Sequence, residues 1–148
     1  MARVRLNLNQ AALHRVGMER AKMLVNKITR QTLNRSAVLC PVDTGRLRAS
    51  GSMRIAERGS SVVGQVEYTA NYAAAVHNGT RPHVIVPRRG RSLRFQVGDR
   101  TVYARRVNHP GTPARPYLAT ALVEVAGRAG FTVSVGRNVT SLGGTVAS

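Results

Sequence analysis

The chain has 148 residues, 23 of them Lys or Arg and only 6 Asp or Glu, for a net charge of +17. Such a field favours polyanions or acidic neighbours and opposes self-association unless something neutralises it. The single cysteine, Cys40, excludes an internal disulfide. MARVRLNLNQ at the start lacks the apolar core of a signal peptide, and no apolar run nears membrane-spanning length, so the expectation is a soluble chain of a reducing cytoplasm without a membrane partner.

A chain of this size can bury its own core, and it reads as one α+β domain over residues 1–130 followed by a C-terminal arm or strand and loose tail over 131–148. The positive charge is uneven: residues 1–40 carry a net +7 and residues 81–120 a net +8. All the basic residues except Lys22 and Lys27 are arginine. That bias suits planar, bidentate contact with carboxylates or phosphates, and a GC-rich coding sequence would produce it equally well.

Residues 9–39 predict a long N-terminal helix, because Leu13, Val16, Ala21, Leu24, Val25 and Ile28 recur at three- and four-residue spacing with arginines and lysines between them. Pro41 ends the pattern, since the residue before a proline avoids helical geometry. The helix is long for this chain, and part of it is a candidate for packing on a neighbouring chain. In PVDTGRLRAS, Asp43 or Thr44 is expected to cap a short helix that carries Leu47 inward, with Gly45 easing the turn. Next comes a predicted hairpin, Met53 and Ile55 alternating, RGSS turning, and Val62, Val63, Val66 and Tyr68 returning. ANYAAAVHNGT then suits a short helix closed at Asn78-Gly79.

HVIVP reads as a short strand stopped by Pro87. Residues 87–108 predict a second, basic hairpin that protrudes: Leu93, Phe95 and Val97 alternate, Gly98-Asp99 turns, and Val102, Ala104 and Arg106 come back. Arg88, Arg89, Arg91, Arg94, Arg100, Arg105 and Arg106 lie on or beside it, as candidate partner or DNA contacts or as a solvated face. Residues 116–129 predict the closing helix, with Pro116 tolerated at its first position because a missing N–H there loses no partner. Pro110, Pro113 and Pro116 stiffen the approach and aim that helix back across the sheet. The expected architecture is a long N-terminal helix packed on an antiparallel sheet of about four to six strands, with a C-terminal helix.

Catalysis finds no support in the residues. His14, His77, His83 and His109 have no cysteine or carboxylate at ligand spacing, the six acids are scattered, and neither a nucleophile motif nor a phosphate-binding glycine loop occurs. The expectation is no catalytic residue, no metal and no cofactor. Non-specific contact with a DNA backbone is the main alternative role, since arginines can track phosphates. Only six aromatic residues exist, which leaves few faces for base stacking.

Four stretches, PVDTGRLRAS (41–50), YAAAVHNGT (72–80), RPHVIVP (81–87) and HPGTPARPYLATAL (109–122), taken in order resemble a phage family. They are similar to the neck and tail-completion proteins of long-tailed double-stranded DNA phages, the HK-97-type gene-product-ten family, in which VDTGxLRxS, YAxxVExGT and PxRPFLxxAL elements follow one another. The likeness spans residues 10–129. His77 and Asn78 stand where the family often carries an acidic or aromatic pair, and the tail after Gly130 has no counterpart. The motif residues are Asp43, Thr44, Gly45, Leu47, Tyr72, Gly79, Thr80, Pro82, Pro110, Gly111, Pro113, Arg115, Pro116 and Leu118, each a turn or cap residue or a partner contact.

What the resemblance implies is a structural protein of the virion's head–tail junction, assembled in the host cytoplasm. It would form a homo-oligomeric ring, a hexamer by expectation, around the DNA channel. Its partners would be connector and head-closure proteins on one side and tail-terminator or tail-tube proteins on the other. The proline-stiffened segment would then either fix the last helix within a ring interface or serve packing inside the chain.

Overall fold

The structure is a computed structural model that describes residues 2–8, 17–59 and 61–131. Its first element is a strand, β1 (Ala2–Leu8), followed by the long helix α1 (Met18–Leu39) and the single turn α2 (Arg46–Ala49). A hairpin of β2 (Gly51–Arg58) and β3 (Ser61–Tyr68) comes next, then the short helix α3 (Ala73–Asn78). Four short strands lead out and back: β4 (His83–Ile85), β5 (Leu93–Val97), β6 (Arg100–Ala104) and β7 (Val107–His109). Helix α4 (Tyr117–Arg128) closes the order.

The body is a two-layer sandwich. β3 lies between β1 and β2, antiparallel to both, in the order β1-β3-β2. Strand side chains alternate between faces, and β3 follows that rule residue by residue: Val62, Gly64, Val66 and Tyr68 are buried, and the residues between them are half-buried. The register sets Val4 and Met53 on either side of Val66 and Ala2 beside Tyr68, so one face of all three strands is apolar. α1 packs on that face, and α4 packs along α1 and against β1. On the opposite face Arg3 bonds Glu67 across the β1–β3 pair at 2.9 Å.

The core joins the layers around Tyr68, Tyr117, Leu118 and Leu122. Tyr68 and Tyr117 meet edge to face with ring centroids 5.1 Å apart, an arrangement favoured by the ring quadrupole. The hydroxyls of Tyr68 and Ser36 are hydrogen-bonded at 2.7 Å, which accounts for a buried serine on α1. Thr29, likewise buried, donates to the Val25 carbonyl one turn back at 2.6 Å. Arg35 of α1 ties α4 through Glu124 at 2.6 Å, and that hydrogen bond holds the Glu124 carboxyl below the usual carboxylate range.

The α+β class, the two hairpins β2–β3 and β5–β6, and the end of α1 before Pro41 agree with the reading of the sequence. Several details differ. Among the described elements the long helix follows a strand and begins at Met18; residues 9–16 of the expected helix lie outside the described residues. Among the described residues the strands form one three-stranded sheet and two separate two-stranded ribbons rather than a single sheet, because β4–β7 and β5–β6 pair only with each other there. Gly45, with φ of 78°, takes the cap position of α2, and neither Asp43 nor Thr44 caps it through its side chain. Pro116 sits one place before the first helical residue of α4, with ψ of 52°. Arg106 falls after β6, outside the hairpin ladder. The closing helix returns over the sheet alongside α1, with Leu118 and Leu122 in one core cluster with Ala2, Val4, Val66 and Tyr68 of the strands. Phe131 packs against the core and so belongs with the body; residues 132–148 of the expected arm lie outside the described residues.

Candidate functional site

Between α3 and α4 the chain leaves the body and returns. Thr80 and Thr112 pair in an isolated antiparallel bridge, each backbone N–H donating to the other's carbonyl at 2.9 and 3.1 Å. Two glycines make this crossing tight. Gly79 (φ 74°) lies so close to the returning strand that a Cβ there would stand 2.6 Å from the Thr112 carbonyl oxygen, and one on Gly111 (φ 92°) would collide with the Thr80 carbonyl. Both positions therefore require a residue without a side chain, for conformation and for space. Thr80, Pro82, Pro110 and Gly111 from the motif set all belong to this neck.

Beside the neck the motif segments converge. Pro41, Val42, Asp43, Thr44, Gly45 and Leu47 from the α1–α2 connection line one open groove of about 390 Å³. Tyr72 and Val76 of the α3 segment and Thr112, Pro113 and Arg115 of the returning strand complete it. Its walls are held by backbone bonds, the Arg115 N–H donating to the Val76 carbonyl at 3.0 Å and the Tyr117 N–H to the Arg115 carbonyl at 2.8 Å. Seven of the fourteen motif residues thus share one surface although they are up to 72 positions apart in sequence. Leu118 is not among them; it is fully buried in the core.

One residue to which the sequence assigns no role is structurally central. His77, 2% exposed, accepts a hydrogen bond from the backbone N–H of Ala119 at Nε2, 3.2 Å away. Because that N–H can only donate, the other ring nitrogen, Nδ1, carries the proton and donates to the Asn78 side-chain oxygen at 3.0 Å. The imidazole therefore supplies the cap that Pro116 cannot, satisfying an N–H in the first turn of α4 from a different element. Its edge-to-face contact with Tyr117, centroids 5.3 Å apart, fixes the ring plane. Burial holds the His77 pKa below the ordinary histidine value, with the Asn78 bond opposing it. The sequence signal was present, an acceptor-capable side chain just before the Asn-Gly helix stop, but its partner lies forty-two residues on.

Farther out lies the arginine hairpin. Gly98 and Asp99 form its two-residue turn, and β5 and β6 pair from Leu93↔Ala104 to Val97↔Arg100. Arg88, Arg89, Arg91, Arg94, Arg100, Arg105 and Arg106 are all exposed, and none has an ion-pair partner among the described residues. None of them lines the groove. At the root of this excursion His83 and His109, opposite each other in the β4–β7 register, have ring centroids 5.0 Å apart.

Among the described residues no three His, Cys, Asp or Glu side chains gather as metal ligands, and no helix is long and apolar enough to cross a membrane. Cys40 is buried, and desolvation pushes its thiol pKa up, the opposite of what a nucleophile needs. No family model, curated protein or solved structure matches the chain.

Proposed function

We propose that the chain is a structural protein of the virion at the head-to-tail junction of a long-tailed double-stranded DNA phage. It forms a ring, a hexamer by expectation, around the DNA channel and joins connector and head-closure proteins to the tail terminator or tail tube. It performs no reaction and takes no cofactor. The observation that carries this reading is the convergence of the PVDTG, YAAAV and GTPAR segments, dispersed in sequence, on one groove beside a glycine-tight neck. Motifs that meet in space have a joint role, whereas unrelated turn residues would scatter.

The hairpin arginines are the contacts toward acidic neck proteins or channel DNA. Their exposure and lack of ion pairs also favour a second reading, a small protein that binds DNA backbone without sequence preference. A complementation experiment separates the two. With Arg88, Arg89 and Arg91 all changed to Glu, the chain stays folded while filled heads and tails accumulate unjoined. Wild-type yields of infectious particles from that variant, or purified particles lacking the protein, overturn the junction role.

A further inference from the structure

We propose that the tip of the arginine hairpin seats in the motif-lined groove of a second copy of this chain, so that successive copies join head to tail. The inference deepens the ring reading and rests on it.

Two surfaces of the chain are open and unlike each other. The first is the hairpin. Its register sets Leu93, Phe95 and Val97 on one face with Ala104 and Val102 opposite, yet no residue of β5 or β6 belongs to either core cluster. Phe95 is 36% and Val97 59% exposed. A two-stranded ribbon alone is marginal in water, and this one has an apolar flank that belongs to no core cluster among the described residues. The second surface is the groove, whose apolar walls are Val42, Tyr72, Val76 and Pro113.

Charge selects the occupant. Glu19, Glu57, Glu67 and Glu124 are each ion-paired within the chain, whereas Asp43 and Asp99 have no ion pair among the described residues. Asp43 lines the groove together with Arg115, and Asp99 stands at the hairpin turn beside Arg100. Tip and groove therefore each offer one acid and one arginine next to exposed valine, and the two sets complement each other. They do not meet within one copy, since no residue of the tip lines the groove. Contact between two different patches is heterologous, and it closes a ring when the rotation between successive copies divides a full turn. Seating the tip leaves the arginines near the hairpin root, Arg88, Arg89, Arg105 and Arg106, free for other partners.

Sedimentation of mixed variants tests this. Val97→Asp spoils the tip and spares the groove; Val42→Asp does the reverse, and both residues are exposed, so circular dichroism should show unchanged folding. The wild-type chain is expected as a multimer and each variant alone as a monomer, with association weakened roughly tenfold or more. An equimolar mixture of the two should form a dimer and nothing larger. Asp43→Arg combined with Arg100→Asp in one chain should regain association that either change alone loses. Multimers unaffected by Val97→Asp, a mixture that stays monomeric, or a wild-type chain monomeric at every concentration would overturn the inference. The ring role itself is judged separately, by whether purified particles hold the chain as a collar. A self-associating chain absent from particles would remove the phage reading and keep the hairpin-in-groove contact.

Discussion

Strand β3 and the β5–β6 hairpin are built alike, with apolar residues at every second position in antiparallel pairs, yet they end in opposite surroundings. In β3 the alternate residues Val62, Val66 and Tyr68 are buried. In the hairpin Phe95, Val97 and, on its other face, Tyr103 are exposed. The cause is position in the topology: β3 has a strand on each side and α1 above it, while β5 and β6 pair only with each other among the described residues. Alternation marks a face that gains from cover. Where the cover comes from is a separate matter, settled by the body's helices in one case and, on the inference above, by another copy in the other.

The contrast yields expectations that run from large to small. Leu118→Ala, in the fully buried core, should lower unfolding stability by about 2–5 kcal/mol, read by chemical denaturation; a much smaller loss would mean that the α4 layer is not part of the body's cooperative core. Gly79→Ala and Gly111→Ala, at the neck, should each cost at least about 1–3 kcal/mol, because a side chain meets backbone at positive φ. Melting temperatures equal to the wild type's would show that the crossing is looser than described.

Removing the cap acceptor with His77→Ala leaves the buried Ala119 N–H without a partner and should cost about 1–3 kcal/mol. The sign of its pH dependence follows from burial. The folded-state pKa lies below the unfolded value of about 6.5. The unfolded chain therefore binds the proton first as pH falls, so this contribution is whole above that value and is lost as pH drops toward the lowered folded value. Denaturation midpoints measured across mildly acidic pH should show the loss in the wild type and not in His77→Ala. The smallest effect belongs to the hairpin: Val97→Ala and Tyr103→Ala should change monomer stability by no more than about 0.5 kcal/mol. Amide exchange there should proceed by local opening, well ahead of β3; equal protection in both would erase the distinction between the two regions.

Much of this was legible in the residues. The hairpin turns at RGSS and Gly98-Asp99, the Asn78-Gly79 stop, and the end of α1 before Pro41 rest on local backbone preferences, which act over a few positions. Strand β1 was not foreseen although Ala2, Val4, Leu6 and Leu8 alternate with arginine and asparagine, because a short alternation marks a strand only once a partner such as β3 lies beside it. The buried Thr29, Thr32 and Ser36 of α1 could not be foreseen either, since small polar residues reveal burial only when their partners, such as the Tyr68 hydroxyl, are in place. For the candidate site, the segments were recognisable one by one, and their shared groove was not.

Composition and local pattern were enough to specify a basic α+β chain, with an arginine ribbon between its last two helices and glycines and prolines where the backbone turns. Each of those properties depends on a residue and its near neighbours. The separation of three sheets, the groove, the imidazole cap on α4 and the uncovered flank of the hairpin all depend on groups dozens of residues apart. Their free energies arise only once folding has brought those groups into contact.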